Sequence, residues 1–244
     1  MFEREKITRI GWEETSFTVP SRHPILAIVA QPRPSLYPTR SSAGALLGQQ
    51  LASRGYQSCI LLGITPEGVE IAAHAARAMG AQFDVIVASF IKLGANLAPI
   101  GAMAETAPAE MDPDFQPGMN LLEKLQAAID ESRARVKQDL VLYRTQRPVK
   151  KLEGRTAVVV DGQIVWPWKA LAAAKAAQGL GAREVVIATP VAAQPAADRI
   201  RARQYPLVCP SVVMEQEGHP SPYGDAGADG ADRLRSIMIA HEAA

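Results

Sequence analysis

Cysteine is scarce in this chain, with two residues in 244, Cys59 and Cys209. Both fall in apolar, strand-like runs, with no CxxC pair and no Cys/His cluster, so the spacing supports neither a zinc site nor a disulfide framework. They read as buried, reduced thiols. An excess of charge of one sign is also lacking: 26 basic side chains face 25 acidic ones, which removes any global argument for nucleic acid or an anionic membrane as partner. No apolar run approaches the roughly 20 residues that span a bilayer, and the opening MFEREKITR lacks the apolar core of a signal peptide. The expectation is a cytoplasmic protein without membrane association. His23, His74, His219 and His241 are scattered, so no nucleophile and base can be paired from the sequence. Asp225, Asp229 and Asp232 do not have EF-hand spacing, and no metal site is expected.

What the chain does have is alternation of strand-like and helix-like patterns. An apolar face of Ala43, Leu46, Leu47 and Leu51 ends at Gly55, as a helix does. A strand over 58–64, a turn at Thr65-Pro66-Glu67-Gly68 and a helix over 69–79 follow. Further strands are expected at 83–89, 156–160, 184–189 and 207–214, with a short one near 100–104. Helices are expected from Asn120, where Glu123 completes a capping box, to about Tyr143, in the alanine-rich run after Pro167, and near 196–203. Strands separated by helices of this length imply βαβ units and a parallel sheet covered on both faces. The division reads as an N-terminal β-rich extension over 1–35, an α/β domain over 36–214 and an acidic, partly mobile C-terminal tail over 215–244, with a short helix near 232–241.

The stretch from Glu153 to Ala174, EGRTAVVVDGQIVWPWKALAAA, is the centre of this pattern. A β-branched run ends in Asp161 and Gly162, and a short passage leads through Trp166 and Pro167 into an alanine-rich helix. An open parallel sheet places ligands at such a turn, outside the carboxyl end of a strand and against a helix N-terminus.

Several segments, in order, resemble the type I phosphoribosyltransferase fold, and bacterial phosphoribosyltransferase-domain proteins in particular. They are SSAGALLGQQLASRG, CILLGITPEGVEIAAHAARAMGA, FDVIVASFIKLGA, PIGAMAE, LYRTQRP and the long segment from Leu152 to Ala192, about two thirds of the chain together. The resemblance implies a site for phosphoribosyl pyrophosphate, with two adjacent acids on the ribose hydroxyls and a Thr-Gly-rich loop around the 5′-phosphate. Here Asp161 keeps the first acid, Gly162 stands at the second, Trp166-Pro167 at the Thr-Gly pair, and Lys169 near the last threonine. Pro167 has no N–H to donate, Trp166 brings bulk, and the hydroxyls are gone. In the pyrophosphate loop, Thr65, Glu67 and Gly68 replace a pattern that carries a cation, so Glu67 is expected to repel an anion. Ile91-Lys92 replaces a pair of bases.

Asp161, Gly162, Trp166, Trp168, Lys169, Thr65, Glu67, Gly68, Lys92 and Glu105 are therefore the candidate ligand residues, vestigial or altered. Trp166 and Trp168 either stack on a ring or pack into and close the pocket, and Lys92 and Glu105 read equally as solvated surface charges. The functional expectation is a phosphoribosyltransferase-like pseudoenzyme that acts as a binding, regulatory or assembly component for a small phosphorylated ligand or a protein partner. A homodimer is what the resemblance implies. An active transferase of nucleotide metabolism, using magnesium, remains open beside it. A nucleic-acid-binding regulator also remains open, because Arg133 to Arg155 holds eight bases against two acids. The plainer reading of that surplus is a solvated helix end.

Overall fold

The computed structural model describes residues 35–144, 150–214, 221–225 and 231–242. The β-rich reading of 1–35 lies outside these but for its last residue, as do the tail segments 215–220 and 226–230 and the link through Arg147.

In chain order the elements are α1 (Arg40–Ser53), β1 (Ile60–Ile64), α2 (Glu67–Met79), β2 (Gln82–Ile86), β3 (Ala88–Ile91), β4 (Gly101–Ala104), β5 (Glu110–Met111) and α3 (Leu122–Arg144). They continue with β6 (Thr156–Val160), α4 (Trp168–Gly179), β7 (Glu184–Ala188), β8 (Val191–Ala193), α5 (Gln194–Ala202), β9 (Leu207–Val208), β10 (Ser211–Val213) and α6 (Ala231–Glu242). Five strands form a parallel sheet in the order β2-β1-β6-β7-β9. A separate antiparallel sheet, β3-β4-β5, stands beside its carboxyl end, and β8 pairs with β10 in a small parallel ribbon.

The period of two along β6 sorts its side chains between two cores. Val158 and Val160 point to one face with Leu61 and Val186, under α1 and α2; Ala157 and Val159 point to the other with Ile60 and Ile187, under α4 and α5. Every residue of β1 is buried, as a central parallel strand requires. Leu234 and Met238 of α6 join the first core, so the C-terminal helix is packed onto the domain.

Three strand expectations are shortened, each by a local cause. The run over 83–89 breaks at Val87, whose N–H donates to the Glu105 carboxylate while its carbonyl accepts from Glu105 N. The chain there leaves the parallel sheet for β3. Pro190 and Pro210 end β7 and β9 and separate them from β8 and β10. In the loop between β4 and α3, Glu110 and Met111 pair with β4, and a 3-10 turn over Met119–Leu121 precedes α3 where the capping box was expected. No helix among the described residues is long and apolar enough to cross a membrane.

Candidate functional site

Gly68 sets the geometry of the carboxyl end. A Cβ there would lie 2.2 Å from the Val160 carbonyl oxygen, so only glycine lets the first turn of α2 rest against the end of β6. Gly162 is close but less tight: a Cβ would meet the Glu67 side chain at 3.0 Å. These contacts bring the loop after β1 and the turn after β6 together. Both α2 and α4 begin there with proline at the cap, Pro66 and Pro167, and no side chain caps either helix.

The Lys169 ammonium lies between two acids, 3.2 Å from Glu67 Oε2 and 3.9 Å from Asp161 Oδ2, and 5.0 Å from the centre of the Phe90 ring. Asp161 is buried, and its Oδ1 accepts the Gly162 N–H at 2.8 Å. Burial pushes its carboxyl up to about 6, against the pull of Lys169 and with some help from Glu67. Lys169 loses solvation by burial, yet Asp161 and Glu67 outweigh that and hold its ammonium above the usual lysine range. Burial alone would raise the Glu67 carboxyl, but Lys169, its own backbone N–H and Arg40 together outweigh that and hold it below the usual range. Glu67 is thus an internal partner of Lys169, which corrects its reading as a bare repulsive charge.

A cavity of about 570 Å³ opens over this cluster. Its walls include Arg40, Phe90, Lys92, Asp161, Trp166 and Tyr223. A larger groove, about 1230 Å³, shares Glu67, Lys92 and Lys169 with it and runs along α3 past Thr65. Lys92 has its ammonium 5.8 Å from the Phe90 ring centre and makes no ion pair among the described residues. The Thr65 hydroxyl is buried without a partner there.

Two candidates lie elsewhere. Trp168 is 2% exposed and packs in the core beneath α4, with Arg199 over its ring at 5.4 Å, so of the two tryptophans only Trp166 reaches the cavity. Glu105 is buried too, accepting from Arg144 and Val87 N; it is neither a surface charge nor a cavity wall. Of the basic stretch, Arg144 turns inward to Asp84, while Arg133 and Arg135 pair with Asp130 and Glu131 on the exposed side of α3 and Arg155 bonds Gln82 at the surface. Cys59 and Cys209 are free thiols, both pushed up to about 11 by burial.

The sequence reading missed Arg40, Phe90 and Tyr223. Tyr223 comes from Ser221–Asp225 of the tail, which crosses the start of α1. Tyr37 N donates to the Pro222 carbonyl and Gly224 N to the Tyr37 carbonyl, the Asp225 carboxylate accepts Arg40 N at 3.1 Å, and Arg40 stacks on Tyr223 at 4.8 Å. The Tyr223 hydroxyl donates to the Gly162 carbonyl. A tyrosine between proline and glycine in an otherwise acidic tail was the available signal, since a lone aromatic there is an anchor.

No family model matches the chain. A Mycobacterium tuberculosis protein named "Putative phosphoribosyl transferase" is 31% identical over 160 residues, 64% of this chain and 36% of the relative. The chain has a type I phosphoribosyltransferase-like fold. A solved protein of Thermus thermophilus, TT1426, aligns at 26% identity and a TM-score of 0.67 over 84% of this chain and 98% of its own. A purine phosphoribosyltransferase of Pyrococcus horikoshii is a looser likeness, with 16% identity, a TM-score of 0.41 and coverage of 74% and 84%. The match to the mycobacterial relative thus spans little more than a third of that protein.

Proposed function

We propose that this phosphoribosyltransferase-like chain binds a small anionic ligand and does not transfer a phosphoribosyl group. The carrying observation is the internal use of the site's charges. Lys169, the cation that replaces a lost phosphate contact, is neutralised by Glu67 and Asp161. Asp161, the retained acid, is buried with one oxygen on Gly162 N and the other facing Lys169. Transfer from a sugar pyrophosphate needs fixed positive groups on the leaving oxyanion, and this pair offers no free one.

The donor set also suits magnesium poorly. The two carboxylates, Glu67 and Asp161, share one ammonium that already balances their charge. Lys92 remains as the cavity cation with no carboxylate beside it among the described residues, and it is the group assigned to the ligand's anionic end.

Titration of inorganic phosphate by calorimetry tests the reading. Binding on the order of millimolar that disappears in Lys92→Ala is expected; binding unchanged by that substitution would contradict it. The name of the mycobacterial relatives favours the second reading, an active transferase in which Asp161 holds the ribose and Lys92 and Lys169 the phosphates.

A further inference from the structure

The contacts made by Tyr223 bear on what this cavity refuses as well as what it holds. A carboxylate at the end of a parallel strand is suited to accept hydrogen bonds from a vicinal diol, as acidic residues do with ribose in open α/β folds. Asp161 stands at such a place, and it lines the cavity. Yet it is only 2% exposed. The Tyr223 hydroxyl is bonded to the carbonyl of Gly162, the residue next to Asp161. Its ring packs against Arg40 at 4.8 Å and against Tyr37 at a centroid separation of 6.1 Å. Asp225 fastens the strap through both carboxylate oxygens to Arg40 N. Nothing in this arrangement depends on α4 or on the Lys169 pairs. It is a separate device laid on the acid turn from the far end of the chain.

We propose that Tyr223 is the specificity-determining residue of the cavity, standing on the Asp161–Gly162 turn and barring a sugar diol from the Asp161 carboxylate. This rests on the reading of Lys92 as the anion contact. The ligand is then recognised by its anionic group at Lys92 and by the faces of Phe90 and Trp166, without a bonded ribose. Removing the ring opens a path to the carboxylate and converts an anion site into a sugar-phosphate site.

The test compares ribose 5-phosphate with inorganic phosphate, by calorimetry at pH 7.5, in the full chain and in Tyr223→Ala. The full chain is expected to bind the two with similar affinity. In Tyr223→Ala, ribose 5-phosphate is expected to gain roughly tenfold over phosphate, the scale of a charge-assisted hydrogen bond, and adding Asp161→Asn removes that gain. Asp225→Ala, which loosens the strap and keeps the ring, provides the same comparison at smaller amplitude if Tyr223→Ala does not fold. If phosphate binds and the ratio is the same in all variants, Tyr223 has no role in selection and the Lys92 reading stands. If the full chain already prefers ribose 5-phosphate by tenfold, the diol is not barred and the proposal fails. If no phosphate binds to the full chain, the Lys92 reading fails and the proposal with it.

Discussion

Two clusters in this molecule have the same composition, one base between two acids, and differ in what the base can reach. Arg144 donates to Asp84 through two bonds of 2.9 Å, to Glu105 at 3.2 Å and to the Val85 carbonyl. Lys169 reaches Glu67 at 3.2 Å but stands 3.9 Å from Asp161. The planar guanidinium is a fork that serves several acceptors at once, whereas the ammonium is a point charge. The first cluster is closed on itself and lines neither cavity. The second leaves Asp161 with its carboxyl raised to about 6, on the wall of a cavity. A buried ionic group therefore marks a ligand site here only where its pairing is incomplete and space lies beside it.

Breaking the closed cluster should have the largest effect. Arg144→Met strands Asp84 and Glu105 in the interior, and a loss of about 3–5 kcal/mol is expected in urea denaturation. A loss under about 1 kcal/mol would mean that the two carboxylates are served by other groups. Trp168→Ala belongs to the same range, because it empties a fully packed site under α4.

The open cluster should be visible as a pH dependence. Because the native Asp161 carboxyl is raised, the folded state keeps a proton that the unfolded chain has released between about pH 4 and 6. That contribution is fully present below about pH 4 and is lost as pH rises through 6, on the order of 3 kcal/mol from this group. Asp161→Asn should flatten the stability profile over that window; an unchanged slope would show that Asp161 does not titrate there.

Removing the ammonium sharpens the contrast. Lys169→Met should cost about 2 kcal/mol at pH 7.5 and less at pH 5, since Asp161 can take a proton once its ammonium is gone. A cost as large as that of Arg144→Met, and independent of pH, would make the two clusters equivalent. Trp166→Ala should change stability least, within about 1 kcal/mol, as its ring lines the cavity and packs only partly. Thermal denaturation beside Trp168→Ala tests that difference.

The order of strands and helices followed from periodicity, because β6 alternates between two cores and α1 and α2 carry small apolar faces. The turn at Asp161 was legible because β-branched residues stop there and an alanine-rich helix begins. The partners of the charges were not. Glu67 reads as a lone acid until Lys169, 102 residues later, folds beside it, and Glu105 as a surface acid until Arg144 returns to it from the end of α3. Two positions separate Trp166 from Trp168, which places their side chains on different faces as α4 begins, and local pattern gave no preference between them. Tyr223 lay hidden in a segment whose glycines and acids dominate its composition.

On the proposed function, a transferase-like fold has kept the turn of its site and spent the charges of Lys169, Glu67 and Asp161 on one another. Pyrophosphate release from phosphoribosyl pyrophosphate, with magnesium and a panel of nucleobases, tests it most directly. No release above background is predicted for the full chain; turnover that disappears in Asp161→Ala would contradict it.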